Sequence, residues 1–202
     1  MGIRSGTAVR DKGKERADEI LEAALSVLLS EGYASLSLRR VSSVANINLG
    51  HVQYYFRTKQ DLLRAMLEHW VTRFRAEVNR RLDADAPPLD RLMTMLTLSL
   101  KDMRTPEGSV MMWEIWALAP RDAFVEDLMD RFYIELRSRY RALILKITPG
   151  ISKKDAGLRA AALSSLIEGA SLYLGYGKPR RRELSGLKQE IIRTAKMIID
   201  SP

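Results

Sequence analysis

The segment from Ser37 to Lys59 constrains the fold of this chain more than any other, because it combines two short helical patterns with a tight turn. The first pattern has apolar residues at helical spacing, namely Leu38, Val41, Val44 and Ala45. Ser37 precedes it as an N-cap, and Asn46 follows it where a left-handed residue is expected. Asn48 can then cap a second helix. The segment therefore predicts a helix-turn-helix.

The second helix of this segment has one apolar side and one side suited to a DNA groove. Val52 and Phe56 lie one turn apart and are expected to face inward. The other side mixes hydrogen-bonding groups with a glycine that lets backbone approach a partner. Thr58 and Asp61 form a capping box for a third helix, whose first turn favours a phosphate near Lys59. The residues predicted to contact DNA are Arg39, Asn48, Leu49, Gly50, His51, Gln53, Tyr54, Tyr55 and Lys59.

The order of these features resembles the TetR family of transcriptional regulators. A helix expected from about Lys14 to Glu31 precedes the motif. In that family the motif typically ends in a pair of aromatic residues, a Phe, a short turn and a Lys. The corresponding residues here are Tyr54 and Tyr55, then Phe56, then Arg57 and Thr58, and finally Lys59. The resemblance covers about residues 17–67 and implies a ligand-responsive DNA-binding regulator. It further implies a repressor released from a palindromic operator by a small-molecule effector.

Two positions depart from the family pattern, and one of them changes the reading surface. Asn46 stands where a turn glycine is common, and Asn tolerates the left-handed conformation that such a turn needs. Gln53 stands where a tyrosine is usual. Since Gln pairs bidentately with adenine, Gln53 is assigned with His51 to base edges, whereas Tyr54, Tyr55 and Lys59 are assigned to phosphates. The resemblance therefore predicts the fold better than the operator sequence.

The charge of the chain favours a polyanionic partner. The formal net charge is +8 and the sequence pI is about 9.8. Part of this charge is concentrated near the N-terminus in Arg4, Arg10, Lys12, Lys14 and Arg16. Such an arm can embrace a phosphate backbone or enter a minor groove, and the alternative is a solvated, disordered terminus.

After the helix-turn-helix segment, helical patterns continue to the end of the chain, and no alternation typical of strands is present. A long apolar stripe runs from about Lys59 to Leu82, followed by helices over about residues 89–103, 111–119, 121–147, 152–176 and 184–199. We expect an all-α fold, with a three-helix helix-turn-helix head and a larger helical-bundle domain for ligand binding and dimerisation. The expected divisions are a flexible basic arm over residues 1–13, a DNA-binding domain over residues 14–60, and an effector-binding and dimerisation domain over residues 61–202.

The last two helices are expected to build a homodimer. The first is rich in small residues between Ala160 and Ala170, and the second is apolar on more than one side between Leu187 and Ile199. Close packing within one chain is the simpler interpretation. In the TetR family, however, the final two helices form a four-helix interface, and paired DNA half-sites call for a symmetric dimer.

The segment from Met111 to Leu143 resembles the second domain of the BetI-type branch, in which a Trp-rich short helix precedes a long one. Aromatic residues with a few carboxylates suggest a pocket for a cationic or apolar small molecule, since aromatic faces stabilise cations. The alternative is that these side chains are ordinary core. The candidate ligand-binding residues are Met111, Trp113, Glu114, Trp116, Tyr133, Glu168 and Tyr173.

The sequence disfavours several other classes of protein. Its two histidines, His51 and His69, lie in no catalytic signature, and there is no cysteine or clustered metal-ligand pattern. We therefore expect no catalysis, no metal site and no cofactor. With no membrane-length apolar run and no secretion signal, a cytoplasmic location is expected. The remaining alternative is a basic architectural DNA-binding protein without ligand control, which would bind with little sequence preference.

Overall fold

The computed structural model describes residues 5–82 and 84–200, with side chains from residue 13 onward. Across these ranges the chain forms α-helices and short 3-10 turns, without a strand. The α-helices are α1 (Ser5–Glu31), α2 (Leu38–Ala45), α3 (Leu49–Tyr55), α4 (Lys59–Arg81), α5 (Pro88–Asp102), α6 (Pro106–Leu118), α7 (Ala123–Ile147), α8 (Lys153–Leu174) and α9 (Leu187–Asp200). The predicted all-α fold is confirmed.

The first helix begins earlier than the sequence suggested. The backbone is helical from Ser5, whereas the prediction placed the start at Lys14 and a flexible arm before it. No proline interrupts this segment, and a helix propagates through charged residues at little cost. Arg4 lies outside the described residues, as do the side chains of Arg10 and Lys12. Contact of these basic residues with DNA stays a prediction.

The chain divides into two compact units, Met1–Arg73 and Phe74–Pro202. The division falls inside α4, further along the chain than the expected boundary between residues 60 and 61. The reason is that the first part of α4 buries its apolar side chains, from Leu62 to Val71, within the first unit. The second unit therefore begins with the last two turns of α4.

The local hydrogen bonds predicted for the helix-turn-helix are present. The Ser37 side chain accepts a hydrogen bond from the backbone N–H of Arg40 at 3.1 Å, which caps α2. Asn46 ends α2 in the left-handed conformation, with φ of 52°. Asn48 caps α3 by accepting from the N–H of Gly50 at 2.8 Å. Each cap satisfies backbone groups that a short helix would otherwise leave unpaired.

The capping box at the start of α4 is also confirmed. The Thr58 hydroxyl accepts from the N–H of Asp61 at 3.0 Å, and the Asp61 carboxylate accepts from the N–H of Thr58 at 3.1 Å. Beneath these caps lies the apolar core of the first unit. Its buried side chains include Ile20, Ala24, Val27, Leu28, Leu36, Val41, Ile47, Val52, Phe56, Leu62, Leu63, Met66 and Leu67.

The second unit packs α5, α7, α8 and α9 around one core. Fully buried Leu92, Leu96 and Leu100 come from α5, and Tyr140 comes from α7. The contribution of α8 and α9 is made of small and branched residues, namely Ala156, Ala160, Leu163, Ile167, Ile191, Ala195 and Ile199. Small side chains allow neighbouring helices to approach closely.

Helix α6 begins at Pro106, earlier than the expected start at Met111. The predicted helices leave residues 104–110 unassigned, but proline is favourable in the first turn of a helix. The Thr105 hydroxyl caps the helix by accepting from the N–H of Gly108 at 2.9 Å. This turn brings Gly108 directly against the end of α5.

We expect Gly108→Ala to destabilise the second unit by roughly 1–3 kcal/mol, because the new methyl group would overpack the turn. A Cβ at Gly108 would lie 2.3 Å from the main-chain oxygen of Asp102. That oxygen already accepts from the N–H of Thr105 at 2.8 Å and from its hydroxyl at 2.7 Å, so it cannot retreat freely. Equilibrium urea unfolding measures the loss.

Gly157→Ala is the matched control for this prediction. A Cβ at Gly157 would meet only the Arg141 side chain, at 3.9 Å, which is ordinary contact. Alanine is a better helix former than glycine, so this change should be neutral or stabilise by about 0.5–1 kcal/mol. Equal unfolding free energies for the two variants would contradict the proposed clash at Gly108.

Candidate functional site

The outward face of α3 presents the side chains predicted to read DNA. Gly50, His51, Gln53 and Tyr54 are exposed, and the Tyr54 side chain is 81% exposed. Leu49 and Tyr55 are half-buried, whereas the Asn48 side chain is engaged in the helix cap. On the opposite side Val52 and Phe56 are buried and fix the helix to the core. The face is therefore held rigidly while its polar groups remain available to a groove.

The two arginines of α2 have different environments. Arg40 donates hydrogen bonds to Glu31 from Nε at 3.0 Å and from Nη2 at 2.7 Å, which ties α2 to the end of α1. This hydrogen bonding lowers the pKa of Glu31. Arg39 is exposed and forms no ion pair within the described part of the chain. Arg39 is thus available for a DNA contact, which stays a prediction, while Arg40 supports the scaffold.

Lys59 has a structural partner that the sequence did not predict. Its Nζ donates to the main-chain oxygen of Tyr33 at 2.8 Å and lies 3.8 Å from the centre of the Tyr33 ring. Partial burial lowers the pKa of Lys59. An ammonium group carries three donors, so a phosphate contact is compatible with this bond. The structure therefore adds Tyr33, 26 residues away, to the surroundings of the predicted DNA face.

Three of the predicted ligand-binding residues meet inside the second unit. The indole N–H of Trp116, on α6, donates to the hydroxyl of Tyr133, on α7, at 3.0 Å. Glu168, on α8, lies close enough to the Tyr133 hydroxyl for that neighbour to influence its pKa. Burial raises the pKa of Glu168 to about 7, and the nearby Tyr133 hydroxyl opposes that rise. Burial also raises the pKa of Tyr133.

Tyr140 adds a second buried hydroxyl to this region. Its side chain is fully buried, and burial raises its pKa, with the charge of Glu168 acting in the same direction. Ser99 lies close enough to lower that pKa, but the Tyr140 hydroxyl has no partner in full hydrogen-bond geometry among the described residues. The interior of the second unit thus holds a carboxyl group and an incompletely satisfied hydroxyl.

Two cavities in the second unit share Phe74 and Val78 of α4 in their walls. The smaller, of about 30 Å³, is mostly apolar and is bounded by Phe74, Val78, Met95, Ser99, Phe132 and Leu136. The larger, of about 120 Å³, is bordered by the carboxyl groups of Glu77 and Asp102 and by the basic side chains of Arg81 and Lys101, beside apolar Phe74, Val78 and Leu98. Burial, followed by the charge of Glu107, raises the pKa of Asp102 to about 6.

The smaller cavity adjoins the hydrogen-bonded residues through shared walls. Ser99 lies next to Tyr140, and the Phe132 ring contacts the Tyr133 ring edge-on with centroids 5.4 Å apart. At its edge Glu135 forms ion pairs with Arg75 and Arg139. A volume of about 30 Å³ holds about two waters, so a ligand of ordinary size requires these walls to separate.

The other predicted ligand-binding residues do not share this interior. Met111 is fully buried in the core, and Tyr173 is 54% exposed on α8. The Trp113 ring faces the segment after α8, where the Lys178 ammonium lies 4.9 Å from the ring centre. Glu114 is half-buried on α6. The sequence could not separate these residues because all lie at helical spacings compatible with either a core or a pocket.

Over residues 13–82 and 84–200, whose side chains the structure describes, no three His, Asp or Glu side chains are grouped so as to hold a metal ion. Within the same ranges, the helices are too short or too polar to span a membrane.

Two family models match the chain over most of its length. The model described as bacterial regulatory proteins, tetR family, matches residues 20–66. The model described as BetI-type transcriptional repressor, C-terminal, matches residues 88–189. The first match contains the helix-turn-helix, and the second runs from α5 to the start of α9.

Individual relatives agree with these matches. The chain is 27% identical over 170 residues to an HTH-type transcriptional regulator of Xanthobacter autotrophicus, and 80% of each chain is covered. It is 25% identical over 157 residues to the HTH-type transcriptional regulator BetI of Proteus mirabilis, covering 76% of this chain and 77% of the relative.

Solved structures share the fold. A TetR transcription regulator from Haloarcula marismortui matches with a TM-score of 0.75 at 24% identity, covering 93% of this chain and 98% of the other. A transcriptional regulator from Saccharomonospora viridis, solved in complex with choline, matches with a TM-score of 0.73 at 20% identity, covering 93% and 97%.

Proposed function

We propose an operator-reading and effector-sensing role for this chain, which belongs to the TetR family of bacterial regulatory proteins and carries the BetI-type repressor C-terminal region. It is a DNA-binding transcriptional regulator and not an enzyme. In the proposed cycle a homodimer binds a palindromic operator through two α3 helices. A small molecule bound in the second unit then lowers the affinity for the operator.

The observation that carries the proposal is the exposed face of α3 on a rigidly capped helix-turn-helix. Gln53 and His51 supply hydrogen-bonding groups for base edges, and Tyr54, Tyr55 and Lys59 hold the phosphate backbone. Arg39 lies free on the neighbouring helix for either kind of contact. Asn48 supports the face by capping α3, and Gly50 beside it lets backbone approach DNA.

Selection of bound duplexes from a random pool tests this function. We expect enrichment of a palindrome whose half-site centres lie about 34–36 Å apart, or a multiple of that distance. Binding that selects no sequence, with a salt dependence that accounts for nearly all the affinity, would instead support the architectural alternative. The enriched duplex then serves as the operator for the experiments below.

We expect Gln53→Ala to lose discrimination at one base position of the selected operator, at a cost of about 1–3 kcal/mol on the preferred base. The physical reason is that the amide is exposed and its bidentate pairing is specific for adenine. Fluorescence anisotropy with operators varied at each position measures the effect. Ser138→Ala removes an exposed, uncharged polar group on α7, outside the proposed DNA and dimer surfaces, and is the control. Equal losses on specific and random DNA would contradict the reading role.

Lys59→Ala provides the contrast, because a phosphate contact carries no sequence information. We expect weaker binding to all duplexes and a salt slope smaller by about one unit. Since Lys59 also holds the main chain at Tyr33, thermal unfolding of this variant is measured beside its DNA binding. Affinity corrected for the folded fraction then reports the phosphate contact.

The dimer is proposed to form through α8 and α9. An exposed stripe on α8 repeats every three or four residues, which keeps it on one side of the helix. It consists of Leu158, Ala162, Ser165, Gly169 and Leu172, with Met197 exposed on α9. Large apolar ends and a small-residue centre suit a helix of a second copy crossing at close range, which buries the exposed leucines.

The effector is proposed to be a cationic or apolar small molecule that enters beside Phe74 and Val78. Glu168 offers a carboxyl group behind the cavity wall, with Tyr133 and Trp116 supplying aromatic faces. A carboxyl group beside aromatic faces suits a quaternary ammonium group. Choline is the first probe because the Saccharomonospora viridis regulator was solved in complex with it. The same α4 that lines the cavities begins at Lys59 in the DNA-binding unit.

This shared helix supplies the physical basis for control. A ligand that separates Phe74 and Val78 from their neighbours favours whichever arrangement of α4 best accommodates it. The shift in operator affinity then equals the differential affinity of the ligand for the two states. A tight ligand that leaves operator affinity unchanged would contradict this part of the proposal.

A further inference from the structure

A concentration of positive charge lies in the connection between α8 and α9. The segment from Lys178 to Arg182 reads Lys-Pro-Arg-Arg-Arg. Its side chains border an open groove of about 670 Å³. The basic residues of this groove are Arg104, Lys178, Arg180, Arg181, Arg182 and Lys188. We refer to it as the basic groove.

Little within the chain neutralises this charge. Arg181 approaches Glu183 at 3.9 Å, and these side chains are 63% and 67% exposed. Within the described residues, the other five basic side chains of the groove form no salt bridge; Lys178 lies over the Trp113 ring. Neighbouring positive charges repel one another, and a concave surface lined by charges of one sign concentrates the electrostatic field. An anion of several charges would relieve that repulsion.

The backbone that carries these side chains is held at both ends. The N–H of Tyr176 donates to the Met103 oxygen at 3.0 Å and to the Ser109 hydroxyl at 2.8 Å. Gly175 lies so close to Trp113 that a Cβ there would be 3.1 Å from the indole ring. Further along, the N–H of Leu184 closes a 3-10 turn onto Arg181 at 3.1 Å. The arginines therefore extend from a positioned turn.

We propose that the basic groove binds a polyphosphate group on a small molecule. Guanidinium groups present paired N–H donors that match phosphate oxygens, and three consecutive arginines can surround several phosphates. The volume falls within the usual range for small-molecule sites. No residue of the groove lines the cavities beside Phe74, so this site is separate from the proposed effector site and does not rest on it.

Isothermal titration of the full-length protein with inorganic triphosphate at about 0.15 M salt tests the proposal. The variant replaces Arg180, Arg181 and Arg182 together by glutamine. The matched control replaces Arg131, Arg137 and Arg141, exposed on α7, and changes the net charge equally. We expect the groove variant to lose roughly tenfold or more in affinity, about the value of one charge-assisted hydrogen-bond set, while the control stays within about twofold. Thermal unfolding verifies that both variants fold.

A second titration, with ATP, distinguishes a nucleotide from a bare phosphate chain. A third measurement, the salt dependence of binding to random duplex DNA, distinguishes a nucleic-acid surface. ATP binding more tightly than triphosphate assigns the site to nucleotides, and equal binding assigns it to the phosphate chain alone. Either outcome supports the proposal. Three results overturn it: no heat of binding at millimolar triphosphate, equal losses in the groove and control variants, or retained triphosphate binding with a reduced salt slope on random duplex DNA. The last would make the groove a nucleic-acid surface.

Discussion

Ser165→Arg is expected to convert the dimer into monomers and to reduce specific operator affinity by about a thousandfold, toward the non-specific level. Ser165 is exposed at the centre of the small-residue stripe on α8, between Ala162 and Gly169. In a two-fold interface each substitution occurs twice and the two new charges come near each other. Burying an unpaired charge costs several kcal/mol, which exceeds what neighbouring apolar contacts recover.

Light scattering coupled to size-exclusion chromatography measures the oligomeric state, and anisotropy with the selected operator measures the consequence. Ser138→Arg is the matched control, because it makes the same change at an exposed serine on α7. We expect this control to remain dimeric and to bind the operator normally. A Ser165→Arg protein that stays dimeric with full operator affinity would place the interface elsewhere.

Glu168→Gln is expected to raise the stability of the second unit above neutral pH by at most about 3 kcal/mol and to flatten its pH dependence. Burial raises the pKa of Glu168 from its ordinary 4.5 to about 7. A carboxyl group whose pKa is raised by burial binds its proton more tightly in the folded protein than in the unfolded chain. The free energy of unfolding therefore falls as pH rises from about 4.5 to about 7, and it stays lower above that range.

Urea unfolding at intervals between pH 5 and about pH 8 measures this dependence. Asp102, whose pKa is raised to about 6, acts in the same direction, so the variant should keep a smaller decline. Glu126→Gln, at an exposed position on α7, is the control and should follow the unmodified protein. Identical pH profiles for Glu168→Gln and the unmodified protein would show that the Glu168 carboxyl is not held in the neutral form.

The same carboxyl makes a cationic effector sensitive to pH. A quaternary ammonium ligand is favoured by the ionised form, so choline affinity should increase as pH rises through about 7. Quenching of tryptophan fluorescence by choline, titrated at about pH 6 and about pH 8, measures this change. Glu168→Gln should remove it. Equal choline affinity at the two pH values would indicate an effector recognised by its apolar surface alone.

Local features of this chain were predictable because their partners lie close in sequence. Ser37 caps the N–H three residues ahead, Asn48 caps the N–H two residues ahead, and Thr58 pairs with Asp61. Such bonds depend on spacing and residue type, so the motif could be predicted without a fold. The same method missed the start of α6, because Pro106 lies ahead of the helix predicted from about residue 111 and is the first residue of α6.

Contacts between helices could not be predicted in the same way. Trp116, Tyr133 and Glu168 were selected together with Met111 and Tyr173 because all have suitable chemistry at helical spacing. Packing alone brings the first three together and separates them from a buried core methionine and an exposed tyrosine. The rotation of each helix about its own axis depends on the whole core, which no short pattern contains.

The sequence by itself determined the helix-turn-helix, its caps, and the side chains that α3 turns outward, because helical periodicity and short-range hydrogen bonds are written within a few residues. Only the tertiary structure decided that Lys59 reaches Tyr33 and that three arginines share one groove with Arg104. These pairings join residues far apart in the chain. They form because burial of the apolar core brings distant helices together, and the polar groups at their edges then meet.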